Sequence, residues 1–308
     1  MIKKTLYFGN PAYLSMRDMQ LVVKMPEIVK ADLPDIFNNF TTKTIPIEDI
    51  GVVILDNKQI TITHGVIEAL LDNNTSIIVC NSSRMPFGLM LPLDSNSIQS
   101  ERYTHQINAS LPLKKQLWQQ TIQTKIVNQA AILEKIGVLA KNMRIWSNNV
   151  KSGDTDNMEA RAAAYYWKNI FSQVPNFYRD RNGPYPNNLL NYGYAILRAI
   201  IARALVSSGL LPTLGIHHHN KYNAYCLADD IMEPYRPYVD NLVLDIILQD
   251  ENCNELSVSI KSKLLSIPVL DVEINGERRP LMNAASITTA SLVRCYTGEA
   301  RKIIYPLI

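Results

Sequence analysis

The chain has 308 residues, 47% hydrophobic and 19% charged, with a formal net charge of +3. That apolar content excludes a disordered polypeptide and suffices for one large core or two modest ones. So small a net charge does not by itself announce a nucleic-acid binder. No apolar run reads as long enough to span a membrane, and Met1 to Gly9 lacks the long apolar segment and cleavage site of a secretory signal. A cytoplasmic protein with no membrane partner is the expectation.

In chain order, the text before residue 95 is strand-like. Leu6-Tyr7-Phe8, Leu21-Val22-Val23, Val52 to Leu55, Ile60 to Thr63 and Ser76 to Cys80 are short β-branched or aromatic runs between turn residues. A short helix is expected from His64 to Leu71. The stretch from Pro86 to Asp94, with Ser95-Asn96-Ser97 after it, reads as a linker. Beyond it the period changes. Trp118, Ile122, Ile126, Ala130, Leu133, Ile136, Ala140 and Met143 recur every three or four residues, predicting one helix of unusual length with an apolar stripe. Further helices are expected at about 157–172, 187–208, 227–249, 255–266 and 284–297, with a hairpin at Asn275-Gly276. The predicted fold class is α+β: a small N-terminal β domain, 1–95, followed by a larger, mainly α-helical domain, 96–308. Cys80, Cys226, Cys253 and Cys295 show neither zinc spacing nor a disulfide framework, and read as reduced thiols.

Charge is unevenly spread. Residues 1–95 hold eight Lys/Arg against ten Asp/Glu, whereas 96–308 hold 23 against 18. Within 96–150 there are seven basic and two acidic residues, among them Arg102, Lys114, Lys115, Lys125, Lys141 and Arg144, a candidate phosphate-facing strip or an ordinary solvated helix face. The segment Asn176 to Tyr185 mixes aromatics with Arg179 and Arg181, a composition able to stack bases and meet phosphates, or to form a plain surface loop.

The chemistry-bearing residues are Glu159, the run His217-His218-His219, Asp230 and Glu233. Acidic oxygens joined by one imidazole suit a hard divalent cation. Asp230 and Glu233, three apart on a helix, share a face and could grip one ion, and Pro234 should bend the chain beside them. Each element also has a structural reading: Asp-x-x-Glu occurs in many solvated helices, and Glu159 can complement the dipole of a helix capped by Asn157.

Gly215-Ile216-His217-His218, followed by Leu227-Ala228-Asp229-Asp230-Ile231-Met232-Glu233-Pro234-Tyr235-Arg236-Pro237, resembles the signature of the CRISPR-associated integrase, the catalytic subunit of CRISPR spacer acquisition. Lys125 to Ala130, Glu159 to Trp167 and Asn187 to Tyr194 agree, so the resemblance covers essentially the whole chain. It implies that Glu159, His218 and Glu233 bind a catalytic Mg²⁺ or Mn²⁺, with Asp230 close by; His218 is set by the spacing from Gly215, with His217 and His219 flanking it. The implied activity is DNA integration, in which the 3′-hydroxyl of a captured fragment attacks a phosphodiester of a CRISPR repeat. The implied partners are double-stranded DNA, a second copy of the chain joined through the β domain, and a small ferredoxin-like subunit. The wording is most like type II versions, which would add the effector nuclease. Rival readings are a metal-dependent nuclease that uses water as nucleophile and a non-catalytic DNA-binding scaffold.

Overall fold

Short runs of β-branched and aromatic residues open the chain and form its strands. The computed structural model describes residues 3–25, 42–249 and 255–308, and the chain divides into two units, Met1–Ser95 and Asn96–Ile308.

The first unit contains β1 (Lys4–Phe8), β2 (Ala12–Arg17), β3 (Gln20–Lys24), β4 (Thr42–Pro46), β5 (Ile50–Leu55), β6 (Ile60–Ile62), helix α1 (His64–Asp72), β7 (Ser76–Cys80) and β8 (Pro86–Met90). One sheet has the order β1-β5-β7-β8 and the other β4-β3-β2-β6. Strand β5 lies between two parallel neighbours, and its Val52, Val53 and Ile54 are fully buried, which explains its unbroken apolar run. The core joins Phe8, Ile50, Val53 and Ile77 of one sheet to Leu14, Leu21 and Val23 of the other, with Val66 and Leu70 of α1.

Two elements here depart from the sequence reading. Strand β2 turns into β3 through Asp18 and Met19, both at positive φ (49° and 56°), a hairpin turn without the usual glycine signal. Residues 86–90, read as linker, are strand β8, antiparallel to β7 with Ile77 opposite Met90 and Val79 opposite Gly88. Proline is tolerated there because Pro86 opens an edge strand, where a missing N–H costs little.

The second unit is mainly helical: α2 (Gln99–Ile107), α3 (Leu111–Lys135), α4 (Lys141–Asn148), α5 (Met158–Ile170), α6 (Asn187–Ser207), α7 (Cys226–Met232), α8 (Arg236–Gln249), α9 (Val258–Leu264) and α10 (Leu281–Thr297). Strands β9 (Asp271–Ile274) and β10 (Glu277–Pro280) form a hairpin across Asn275 and Gly276, at φ 54° and 78°. The apolar stripe from Trp118 to Met143 is two helices, not one. Helix α3 stops at Lys135; Gly137 takes φ +78°, and the N–H groups of Gly137 and Val138 close back onto the carbonyls of Glu134 and Leu133. Leu133, Ala140 and Met143 stay buried because α4 folds back on α3.

Helix α6 is the buried centre of this unit. By length and composition it could cross a membrane, correcting the reading that no run is long enough, but 83% of its apolar window is buried within the protein. Between α7 and α8 the chain passes through a 3₁₀ turn, Glu233–Tyr235. Pro234 cannot donate, so the Asp230 carbonyl takes the N–H of Glu233 instead, and the amide of Asn128 on α3 caps the Pro234 carbonyl at 2.8 Å. Cys226 and Cys295 are free thiols, whereas Cys253 lies outside the described residues.

Candidate functional site

The loop after Gly215 is built around one carboxylate. Asp230, fully buried on α7, accepts hydrogen bonds from the backbone N–H groups of Ile216 (2.6 Å) and His217 (2.9 Å), a longer one from His218 (3.4 Å), and a short one from His218 Nδ1. Gly215 is required by this close approach: a Cβ there would run into the His218 carbonyl oxygen and come within 2.9 Å of Asp230 Oδ2. The three histidines thereby acquire different surroundings. His217 lies flat on Trp118 of α3, centroids 4.2 Å apart, and burial lowers its pKa. His218, its side chain 47% exposed, is held by Asp230, and that hydrogen bond outweighs desolvation to raise its pKa. His219 is exposed. Asp230 is committed to the loop and to the His218 ring rather than aimed beside Glu233, which revises the expectation that the two acids grip one ion together.

Glu159 stands in the first turn of α5. Asn157, read as its cap, sits at φ 54° and makes no capping bond; the Asp154 carboxylate accepts from the N–H groups of Met158 (2.9 Å) and Glu159 (3.0 Å) instead. Glu233 is buried at the α7 terminus. The two acids converge on Lys125 of α3, whose Nζ is 2.6 Å from Glu159 Oε1 and 2.6 Å from Glu233 Oε2. The contact with Oε2 has ion-pair distance without an aligned hydrogen bond. Arg236 Nε lies 2.8 Å from Glu233 Oε1. Burial alone would raise the Glu233 pKa, but Arg236 and Lys125 overcome it and bring it down to about 2. Burial likewise works against the Lys125 charge, and Glu233 and Glu159 outweigh it, so its pKa is raised. Lys125, only 9% exposed, is therefore not part of a phosphate-facing strip.

The other basic residues divide. Arg144 forms a bidentate pair with Glu134 (3.2 and 2.7 Å), and Arg179 bonds Asn187 (2.7 Å), Asn191 (3.0 Å) and the Asp180 carbonyl while lying over Trp167 and Tyr194. Both guanidinium groups are thus engaged by partners within the second unit. Lys115 and Arg181 are exposed and Lys114 is half-buried; no ion-pair partner is found for these three among the described residues. Sequence reasoning missed Arg236, which its i+3 spacing from Glu233 could have revealed. It also missed the buried Asp240, which accepts from Tyr166 (3.0 Å) and, in a short bond, from Tyr194; no local pattern marks that cluster.

Among the described residues no three His, Cys, Asp or Glu side chains are gathered as a metal cage. What the fold does bring together is two carboxylates from separate helices aimed at one cation, with Glu233 Oε2 buried and lacking an aligned donor, beside a histidine whose Nδ1 is fixed by a carboxylate. Oxygen donors of this charge, with an imidazole presenting Nε2, match a hard divalent ion.

The profile of CRISPR associated protein Cas1 matches residues 6–255. The chain is 36% identical over 286 residues to the CRISPR-associated endonuclease Cas1 of Neisseria meningitidis serogroup C (strain 8013), covering 92% of this chain and 88% of that one. Its structure is similar to a casposase bound to integration product, with a TM-score of 0.78 and 21% identity over 97% of this chain and 92% of that one. It is also similar to a chain of a Cas6-RT-Cas1–Cas2 complex, with a TM-score of 0.69 and 18% identity over 98% of this chain and 36% of that one. At those identities the structural likeness concerns the fold.

Proposed function

The chain belongs to the CRISPR-associated protein Cas1 family, and from that premise we propose that it is a metal-dependent DNA integrase that inserts captured fragments into a CRISPR array. The observation that carries this reading is the convergence of Glu159 and Glu233 on one cation beside His218. Glu159, His218 and Glu233 would hold Mg²⁺ or Mn²⁺, the imidazole making Mn²⁺ as suitable as Mg²⁺. When bound, such an ion polarises the phosphodiester and stabilises the charge that develops on its oxygens.

The protein's own residues do the rest. Asp230 holds His218 by Nδ1, so the ring presents Nε2 in a fixed orientation, and Trp118 with His217 fixes the loop that carries it. Arg236 keeps Glu233 ionised although buried. In the joining step the 3′-oxygen of the fragment forms a new bond to phosphorus, the bond to the repeat's own 3′-oxygen breaks, and the proton of the attacking hydroxyl ends on that leaving oxygen through solvent or a nearby base. Half-buried Lys114 and exposed Lys115 and Arg181 would meet the DNA backbone, and a protein that accepts arbitrary fragments reads phosphates and shape rather than bases.

The assembly we infer is a homodimer through the strand-rich unit 1–95, with unit 96–308 carrying the metal chemistry. A small ferredoxin-like subunit would join it, supported by the presence of Cas2 in the complex with a similar chain. A type II effector nuclease would be a functional partner. The name of the Neisseria relative, an endonuclease, favours a second reading in which water is the nucleophile and DNA is cut.

A strand-joining assay separates the two. With Mg²⁺ or Mn²⁺ the protein should yield joined product, and Glu159→Gln and His218→Ala should each lower joining by at least about 100-fold with melting temperature nearly unchanged. Cut product without joined product would leave the nuclease reading in its place. Neither joined nor cut product from the wild type, with both variants losing their fold, would leave the scaffold reading; full joining by both variants would remove Glu159 and His218 from the chemistry.

A further inference from the structure

We infer that Lys125 is a built-in counter-cation of this site: its ammonium holds Glu159 and Glu233 together and has to give way when a divalent ion is taken up. The inference rests on the metal reading above. Lys125 comes from α3, Glu159 from α5 and Glu233 from the α7 terminus, and the single Nζ touches both carboxylates at 2.6 Å. Arg236 neutralises the other oxygen of Glu233, so on the side that faces Glu159 the ammonium is the cation between the acids. Without a cation there, two carboxylates this close and largely out of water would repel each other strongly.

A divalent ion held by the same two acids must draw on oxygens at about 2.0–2.6 Å, the region the ammonium occupies. Two cations packed a few ångströms apart in a poorly solvated site repel, so exchange is favoured over sharing. Lysine suits the exchange. Its charge is compact and sits on a four-carbon stem that can swing aside without moving the helix, whereas a planar guanidinium locks into paired hydrogen bonds. Metal affinity is then a difference: the ion's interaction with the carboxylates minus that of the ammonium it displaces.

The test uses the full chain, stripped with chelator and titrated with Mn²⁺ by calorimetry and by thermal melting, in wild type and Lys125→Met. The variant should melt lower without Mn²⁺, bind Mn²⁺ roughly tenfold or more tightly than wild type, and gain more in melting temperature at saturation. Equal or weaker Mn²⁺ binding by the variant overturns the exchange while leaving the metal site intact. Binding by neither protein overturns the metal reading together with the inference.

If Lys125→Met does not fold, the wild type provides an independent reading. Reductive methylation with formaldehyde and cyanoborohydride, located by peptide mass spectrometry, should label Lys125 several-fold faster with Mn²⁺ than without, while exposed Lys115 is unaffected. Lys125 labelling that Mn²⁺ leaves unchanged or slows overturns the proposal.

Discussion

Asp230 gathers the N–H groups of Ile216 and His217 and the Nδ1 of His218 while fully buried, so its charge and shape set the geometry of the histidine loop. Asp230→Asn keeps the volume but turns a donor toward donors. We expect Mn²⁺ affinity to fall by roughly 10- to 100-fold, the range typical for partners that orient a metal ligand, with a changed tautomer signal for His218 in ¹⁵N NMR. Wild-type affinity with an unchanged ring signal would show that Asp230 does not orient the ligand. Asp240 is a different case: at 1% exposure, burial pushes its pKa up to about 7, although the hydroxyls of Tyr194 and Tyr166 and the guanidinium groups of Arg236 and Arg179 pull it down. The folded protein therefore keeps a proton that the unfolded chain releases at its ordinary value of 3.8. That contribution to stability is fully present below the unfolded value and is lost as pH rises to about 7. Asp240→Asn should flatten the curve, the difference from wild type changing by roughly 1.4 kcal/mol per pH unit between the two values. Unfolding in urea at pH 5, 6, 7 and 8 measures it, and a difference that does not vary with pH would contradict the buried-proton account.

At the scale of elements, α6 and α8 approach closely where Gly193 faces Val239. A Cβ on Gly193 would stand 2.5 Å from Val239 Cγ1. Replacing a helical glycine by alanine ordinarily gains about 0.5–1 kcal/mol. Overpacking a rigid contact costs about 1–3 kcal/mol, and valine is stiff at χ1, so the clash should win. Gly193→Ala should lower stability, and adding Val239→Ala should recover part of the loss, which a double-mutant cycle reads directly. The absence of any recovery would mean that the helices separate rather than collide. The same closeness has a consequence for function, since α8 begins at Arg236, the partner of Glu233. A shifted α8 would disturb the carboxylate without touching it.

At the scale of the whole molecule, the proposed insertion of a fragment would require joining at one position on each strand of the repeat, and one set of Glu159, His218 and Glu233 would serve only one of them. On that proposal two copies would be held at a defined span, a task we assign to the first unit and the partner subunit. A chain beginning near Ser97 should therefore keep Mn²⁺ binding and single-end joining yet lose paired, correctly spaced insertion in an assay with the ferredoxin-like subunit present. Paired insertion by that shortened chain as a monomer would contradict the division of labour.

The α+β class and the order of strands before helices were legible because periods of 2 and 3.6 and the Asn275-Gly276 turn are local properties that neighbours along the chain impose. The candidate site was picked out not by periodicity but by the resemblance that the two short runs holding Gly215, His218, Asp230 and Glu233 carry to the integrase signature, since each residue alone also had a structural reading. Strand β8 escaped because an edge strand tolerates Pro86, and the break between α3 and α4 escaped because Gly137 interrupts the backbone without interrupting the apolar stripe. What each charged side chain does was decided only by tertiary contact. Lys125 and Glu159 are 34 positions apart, Asp230 and the His218 ring are 12 apart, and Arg144 and Arg179 are taken up by Glu134 and by Asn187 and Asn191. A charge reads the same in a sequence whether it faces water or a buried carboxylate. Only the fold supplies the partner, and with it the choice between a surface cation and one enclosed between two acids.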